Sequence, residues 1–323
     1  MSSVQDRKPR RAALALLLVT LLWGCTFVWM KQANEASARH LGAGGLVAGV
    51  GLFMALRFGL AAVVIGLLPS VRRKLDAAAW RAGLWIGLAL LGGFLLQMFG
   101  LHGVSPAVSA FLTSLYVLFT ALLNIVRSRR MPHPALLLGA VLATAGAAFI
   151  GGPPQLHFDL GEWLTVGCAF VFAAHILITD VWTRRADPMA ATLTCFVTVA
   201  AGALVTLLLG LASEGGPNAD ALLALLADRG FWVPMLLASL LATVLALSLM
   251  NLYQRDLDPV RAAIIYAIEP IWAALFGIAL GFDQPTAWLY FGGGALLCGN
   301  LVAELGPKLL RRGSTLPPNA TNP

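Results

Sequence analysis

The polar side chains of this sequence that could do chemistry are few, and they stand singly inside long apolar runs. Arg57, Gln97, His175 and Glu269 each have apolar neighbours on both sides. If these runs cross a membrane, a charge at mid-depth costs about 2.5–3.5 kcal/mol, so such groups should face protein or a water-filled cavity. This pattern favours a binding or ion-coupling site inside a membrane, whereas an enzyme would need several acid, base or metal groups clustered in one place.

The two charged side chains each allow two interpretations. Arg57 is either a fixed cation that attracts an anionic group, such as a substrate carboxylate, or part of a structural ion pair with Glu269. Glu269 precedes Pro270, which removes a helix hydrogen bond and can expose a carbonyl group to a cavity. A carboxyl group in apolar surroundings favours its neutral form, so Glu269 could exchange a proton during transport or contact a substrate, unless Arg57 holds it ionised.

The uncharged candidates also have two interpretations. His175 is a candidate gate or proton relay, or a neutral histidine that bonds between helices. Gln97 can hydrogen-bond a ligand or bridge two helices. Trp23, Tyr116 and Tyr266 could line an amphipathic cavity with flat apolar faces and polar edges. The predicted substrate-binding residues are Trp23, Arg57, Gln97, Tyr116, His175, Tyr266 and Glu269, and the candidates for proton coupling are Glu269 and His175.

The composition places these residues in a membrane protein. Of the 323 residues, 59% are hydrophobic and 11% are charged, and the mean hydropathy is +0.82, whereas soluble domains carry about 25% charged residues. Ten apolar runs of roughly the length of a membrane span cover 12–31, 46–68, 82–102, 107–126, 135–151, 162–182, 189–212, 231–253, 262–281 and 287–303. Because hydrocarbon offers the backbone no hydrogen-bond partners, the sequence predicts an all-α membrane protein with ten transmembrane helices.

The basic residues indicate how the helices are oriented. Of the 22 Lys and Arg residues, the outer connections of a ten-span arrangement keep only Arg39 and Arg229, and nearly all the others fall on the opposite side. The positive-inside rule then places both termini in the cytoplasm of a bacterial-type inner membrane. The predicted tails are residues 1–11 and a disordered segment, 306–323. Lys31, near an outer end, either anchors the first helix by reaching the interface or contacts a substrate.

The chain repeats itself. Shifting residues 105–150 by 153 positions aligns them without gaps on residues 258–303. The matches include Pro106 with Pro259, Gly139 with Gly292 and Gly146 with Gly299, and Tyr116 falls opposite Glu269. We interpret residues 12–152 and 162–305 as two five-helix repeats. An odd number of helices reverses the direction of entry, so the repeats are predicted to be inverted, with the site between them near the middle of the membrane.

An ordered set of short segments runs through both repeats: LLWGCTFVWMK at 21–31, ALRF at 55–58, SPAVSAF at 105–111, DPVRAA at 258–263, and Glu269-Pro270. This set resembles the EamA-type branch of the drug/metabolite transporter superfamily. The resemblance covers roughly residues 12–305 and implies a ten-helix inverted-repeat transporter of small metabolites, driven by a gradient rather than by ATP. Many relatives carry a Gly-Glu pair after the fourth and ninth helices. Here the corresponding residues are 127–130 and 281–283, where Asp283 stands close to one expected glutamate.

Together these observations predict a secondary active transporter that moves small amphipathic metabolites by alternating access. Amino acids or related compounds are the leading substrates, and the resemblance implies export. A membrane enzyme acting on lipids and a non-transporting receptor or scaffold are the alternatives. The sequence has no nucleotide-binding or zinc-protease motif, so we expect no enzyme activity, metal, cofactor or nucleic-acid partner. The expected partners are the substrate, the lipid bilayer and protons as the candidate coupling ion.

Overall fold

The computed structural model describes residues 7–129, 133–149, 153, 159–213 and 216–313, and these residues are helical with no strand among them. In chain order the helices are α1 (Arg7–Leu41), α2 (Leu46–Gly66), α3 (Pro69–Arg72), α4 (Ala77–Gly103), α5 (Pro106–Ser114), α6 (Tyr116–Ser128), α7 (Pro134–Ala148), α8 (Leu160–Trp182), α9 (Pro188–Ala212), α10 (Ala219–Ala227), α11 (Arg229–Leu237), α12 (Ala246–Tyr253), α13 (Pro259–Tyr266), α14 (Glu269–Ala279) and α15 (Ala287–Gly313). Two 3-10 turns, Ala43–Gly45 and Gln254–Asp256, and a π-helical segment, Ala238–Leu245, lie between them.

Eight helical segments of the described chain are long and apolar enough to cross a membrane. They are Pro9–Leu41, Leu46–Gly66, Ala77–Gly103, Pro106–Ser128, Leu160–Trp182, Pro188–Ala212, Arg229–Asp256 and Arg261–Ala279. Two further apolar helices, Pro134–Gly146 and Ala287–Ala303, are shorter. The predicted all-helical membrane fold is therefore confirmed, while the count of ten spans stays a prediction.

The two ends of the chain are more helical than the sequence analysis expects. Helix α1 begins at Arg7, inside the segment assigned to a tail, and Pro9 is tolerated there because a first-turn N–H needs no helical partner. Helix α15 continues to Gly313, through residues 306–313 of the predicted disordered tail, whose Leu, Lys and Arg residues favour helix. The remaining parts of both tails lie outside the described residues.

Short polar side chains define where several helices begin. The carboxylate of Asp76 accepts a hydrogen bond from the Ala79 N–H at 2.7 Å before α4, and Asp187 accepts two from the first turn of α9. Ser105 caps α5, and Asp159 forms a capping box with Glu162 before α8. Such caps satisfy N–H groups that have no partner within the helix.

Glycine allows the closest helix contacts. Gly51 of α2 lies against the backbone of Leu207 in α9, and Gly210 of α9 lies against the backbone of Ala48 in α2. Small residues let helices in a membrane approach until their backbones touch. The pair α2 and α9 therefore forms one of the most extensive contacts of the fold, together with the pairs α4–α8 and α7–α15.

The contact between α7 and α15 contains two glycine contacts that the sequence repeat relates to each other. Gly146 of α7 packs on the backbone of Leu296, and Gly299 of α15 packs on the backbone of Ala143. The 153-residue shift relates Gly146 to Gly299 and Ala143 to Leu296, so each contact is the counterpart of the other. This reciprocity is the arrangement that a two-fold axis produces.

We expect Gly299→Ala to destabilise the protein, because the added methyl group would overlap the Ala143 backbone nitrogen. Overpacking of this kind costs about 1–3 kcal/mol. Gly293→Ala in the same helix is the control, since a methyl group there meets nothing within 4 Å and alanine favours helix over glycine. Thermal unfolding in detergent should show a lower midpoint for Gly299→Ala and an equal or higher one for Gly293→Ala. Equal midpoints for both variants would contradict the tight contact.

Candidate functional site

Two membrane-crossing segments are broken at equivalent positions of the repeat. Helix α6 begins at Tyr116, directly after the break that ends α5, and helix α14 begins at Glu269, after the break that ends α13. The Tyr116 hydroxyl donates to Glu269 Oε2 at 3.5 Å, and both side chains are buried. The residues that the 153-residue shift pairs in the sequence thus meet in space. Broken helices commonly build the substrate sites of membrane transporters.

A cavity of about 50 Å³ lies beside this contact. A volume of that size holds a few water molecules. Its wall is mostly apolar and includes Phe94, Phe172 and Met250, with the hydroxyl groups of Thr26 and Thr113 among them. The cavity is therefore smaller than most small-molecule binding sites.

Six of the seven predicted site residues line this cavity, and they come from six helices in both halves of the chain. They are Trp23 of α1, Gln97 of α4, Tyr116 of α6, His175 of α8, Tyr266 of α13 and Glu269 of α14. Arg57 of α2 is not among the lining residues. Except for Arg57, the predicted site residues therefore meet around one cavity.

Hydrogen bonds hold the aromatic members of the wall in place. The Trp23 indole N–H donates to the carbonyl oxygen of Ala242 at 3.1 Å, and the Tyr266 hydroxyl donates to Gln254 Oε1 at 3.1 Å. Gln254 in turn donates to the carbonyl oxygen of Ile176 at 3.0 Å. The Trp23 and Tyr266 rings lie 5.3 Å apart. With their polar edges bonded to protein, the two rings present apolar faces to the cavity.

The other two polar residues of the wall make weaker contacts. Gln97 donates to the Thr113 hydroxyl at 3.4 Å, and His175 Nε2 lies 3.5 Å from the Thr179 hydroxyl. Bonds of this length are at the limit of useful hydrogen-bond geometry. Both side chains can therefore exchange these partners for a ligand or water at small cost.

Arg57 is completely buried beside the cavity wall. Its Nε donates to the Thr243 hydroxyl at 2.6 Å, and its guanidinium carbon lies 4.5 Å from the centre of the Phe94 ring. Within the described residues no carboxylate lies close enough for an ion pair with it. The Arg57–Glu269 ion pair, one of the two interpretations of Arg57, is therefore not formed among the described residues. The guanidinium instead bonds to the π-helical segment and lies against aromatic rings.

Sequence reasoning missed several residues that support the site. Gln254 lies at the end of an apolar run, where a polar residue is expected and does not indicate a site. Thr243, Thr113 and Ser239 carry hydroxyl groups that are common in membrane helices, where they bond to their own backbone. Only the offset of the π-helical segment, which the sequence does not announce, turns Thr243 toward Arg57.

One polar contact between the two halves lies near Lys31, in a region that we call the Lys31 end. Lys31 donates to the carbonyl oxygens of Leu101 at 3.1 Å and Val104 at 3.0 Å, at the end of α4. Asp283 accepts from the Ala107 N–H at 3.3 Å, linking the second half to the first. Burial raises the pKa of Asp283, and hydrogen bonds from Ser105 and Ala107 oppose that rise. Lys31 thus caps the end of α4.

A second contact between the halves lies at Asp180, in a region that we call the Asp180 end. The carboxylate of Asp180 accepts from Arg127 at 3.3 Å and from Arg184 at 2.9 Å. Arg184 also donates to the carbonyl oxygen of Arg255 at 2.7 Å. The Arg127–Asp180 pair connects α6 of the first half with α8 of the second.

Comparisons with known proteins agree with this architecture. The model of the EamA-like transporter family matches residues 10–152 and again residues 159–304. An uncharacterized transporter of Archaeoglobus fulgidus is 26% identical over 300 residues, which cover 91% of this chain and 86% of that protein. A solved crystal structure superposes with a TM-score of 0.67 at 18% identity, over 95% of this chain and 99% of the other. At that identity the likeness shows the fold alone.

Among the described residues, no group of three or more His, Cys, Asp or Glu could hold a metal ion.

We expect Lys31→Met to lower the free energy of unfolding by about 1–3 kcal/mol, because the carbonyl groups that end α4 lose their donor. Lys31→Arg should recover most of the loss. Lys74→Met is a further control, since its ion pair with Asp187 lies at the surface and such pairs contribute about 0–1 kcal/mol. Denaturant unfolding in detergent measures all three. A loss no larger than that of Lys74→Met would show that the capping contacts are dispensable.

Proposed function

Because the chain belongs to the EamA-like transporter family, we propose that it is a secondary active transporter that moves small amphipathic metabolites by alternating access. The observation that carries the proposal is the contact between Tyr116 and Glu269 at two helix breaks, beside a cavity lined from both halves. Amino acids and related compounds are the leading substrates, and export is the proposed direction.

The proposed architecture is ten spans in two inverted five-helix repeats. The two shorter apolar helices would complete the eight longer ones as the fifth and tenth spans. The two family matches and the reciprocal α7–α15 contact support a duplication. The distribution of Lys and Arg supports an inner-membrane location with both termini in the cytoplasm.

The proposed transport site is the central cavity. Its residues Trp23 and Tyr266 offer aromatic faces to the apolar part of a substrate, while Gln97, His175 and Glu269 offer polar groups. Because the cavity holds only a few water molecules, substrate entry requires the Lys31 end or the Asp180 end to open. Opening the two ends in turn, never together, is the alternating access that inverted repeats perform.

Glu269 and His175 are the proposed proton-coupling groups. Glu269 is buried, and within the part of the chain that the structure describes no cation pairs with it. A carboxyl group without a fixed countercharge can change its protonation state when water or substrate enters. Its single bond from Tyr116 is long, so it does not lock one state.

Flux into proteoliposomes tests the function. The purified protein is reconstituted and offered a panel of amino acids, with and without a pH gradient. We expect at least one solute to accumulate, and to accumulate more when the gradient is present. If no member of the panel moves faster than in protein-free vesicles, the proposed substrate class is wrong.

We expect Glu269→Gln to keep substrate binding but to lose gradient-driven accumulation, because glutamine preserves the shape of the side chain and cannot release a proton. Glu35→Gln is the matched control, since Glu35 is exposed on α1. Binding is followed by equilibrium titration and accumulation by the flux assay. Accumulation that survives in Glu269→Gln would exclude coupling through this residue.

A further inference from the structure

The guanidinium group of Arg57 carries a buried charge, and no carboxylate of the described residues forms an ion pair with it. The residue has no exposed surface. Among the described residues its Nη2 has no hydrogen-bond partner, and its Nη1 bonds to the sulfur of Met30 at 3.6 Å. Burying a charge without an opposite charge is costly. The aromatic rings of Phe94 and Phe58, at 4.5 and 5.3 Å, compensate part of that cost. They do not supply the hydrogen bonds that the free end of the group lacks.

The free end of this group lies one side chain behind the cavity wall. Met30 and Phe94 both line the cavity, and both contact Arg57. Methionine is unbranched and adopts many rotamers, so it can move aside at small cost. A displacement of Met30 that enlarges the cavity would therefore bring it to Nη1 and Nη2 of Arg57.

The opposite edge of the guanidinium is held firmly. Its Nε bonds to the Thr243 hydroxyl, and the Ser239 hydroxyl donates to the Arg57 carbonyl oxygen at 2.7 Å. Both partners belong to the π-helical segment 238–245, and π-helical turns occur frequently at functional sites. The arrangement fixes the position of the group and leaves Nη1 and Nη2 available.

We infer that Arg57 is the anion-recognition group of the transport site, reached when Met30 and Phe94 move. This inference rests on the proposed function and narrows the substrate class to compounds that join a carboxylate to an apolar body. A carboxylate has the planar geometry that accepts two parallel hydrogen bonds from a guanidinium. The apolar body would lie against the aromatic wall near Trp23.

A matched pair of small probes tests this inference. Benzoate and benzamide have nearly the same size and shape, but only benzoate carries a charge at neutral pH. Each is titrated into the full-length protein in detergent, and binding is measured by calorimetry. We expect the wild type to bind benzoate at least about tenfold more tightly, the ratio that one charge-assisted hydrogen bond provides.

Three variants separate recognition from structural support. Arg57→Gln should abolish the preference for benzoate, and Arg57→Lys should keep part of it. Thr243→Val removes the bond that orients Arg57 but leaves the charge, so it should lower the thermal unfolding midpoint and keep a preference for benzoate. A purely structural Arg57 would lower the midpoint in Arg57→Gln without changing the preference.

A fourth variant, at Met30, tests the inference if Arg57→Gln does not fold. Met30→Ala shortens the side chain between the cavity and Arg57, so it should strengthen benzoate binding about threefold or more and leave benzamide binding nearly unchanged. Equal gains for the two probes, or no gain, would overturn the inference.

The wild-type result and the flux assay distinguish the two proposals. Equal affinities for benzoate and benzamide, or no benzoate binding, would overturn the role of Arg57 while amino-acid flux still supports a transporter. A benzoate preference that disappears in Arg57→Gln, in a protein that moves no member of the amino-acid panel, would support the anion site and contradict the proposed transport of amino acids.

Discussion

A bilayer offers no hydrogen bonds to a polar group, and this constraint explains where several polar side chains of the described residues lie. Tyr116 and Glu269 find each other at two helix breaks, Trp23 and Tyr266 bond to the protein behind them, and Lys31 closes the end of a helix. Because these groups find partners within the fold, they gather where helices of both halves meet. The same gathering lines the central cavity from both halves.

Much of this arrangement can be read from the sequence because the constraint is severe. An isolated Glu, His or Gln in an apolar run must face protein or a cavity. The 153-residue repeat also pairs Tyr116 with Glu269. The environment of Arg57 could not be read in this way. It depends on which face of α2 meets the π-helical segment and on the rotamer of Met30. Residue spacing reveals neither of these. The roles of these residues in transport stay predictions.

The helix ends, too, can be predicted only in part from the sequence. Caps at Asp76, Ser105 and Asp187 follow from residue type, since each offers an oxygen to a first helical turn. The extension of α15 through residues 306–313 does not follow from hydropathy, because a charged and leucine-rich stretch can continue a helix beyond the hydrocarbon. Length and apolarity therefore locate the spans but not the full helices that contain them.

The small volume of the central cavity bears on proton leakage. A chamber with room for only a few water molecules does not by itself form a water wire across a membrane. If the chain couples transport to protons as we propose, this dryness would keep protons from passing through the empty protein, and a permanently wide chamber would lose that barrier.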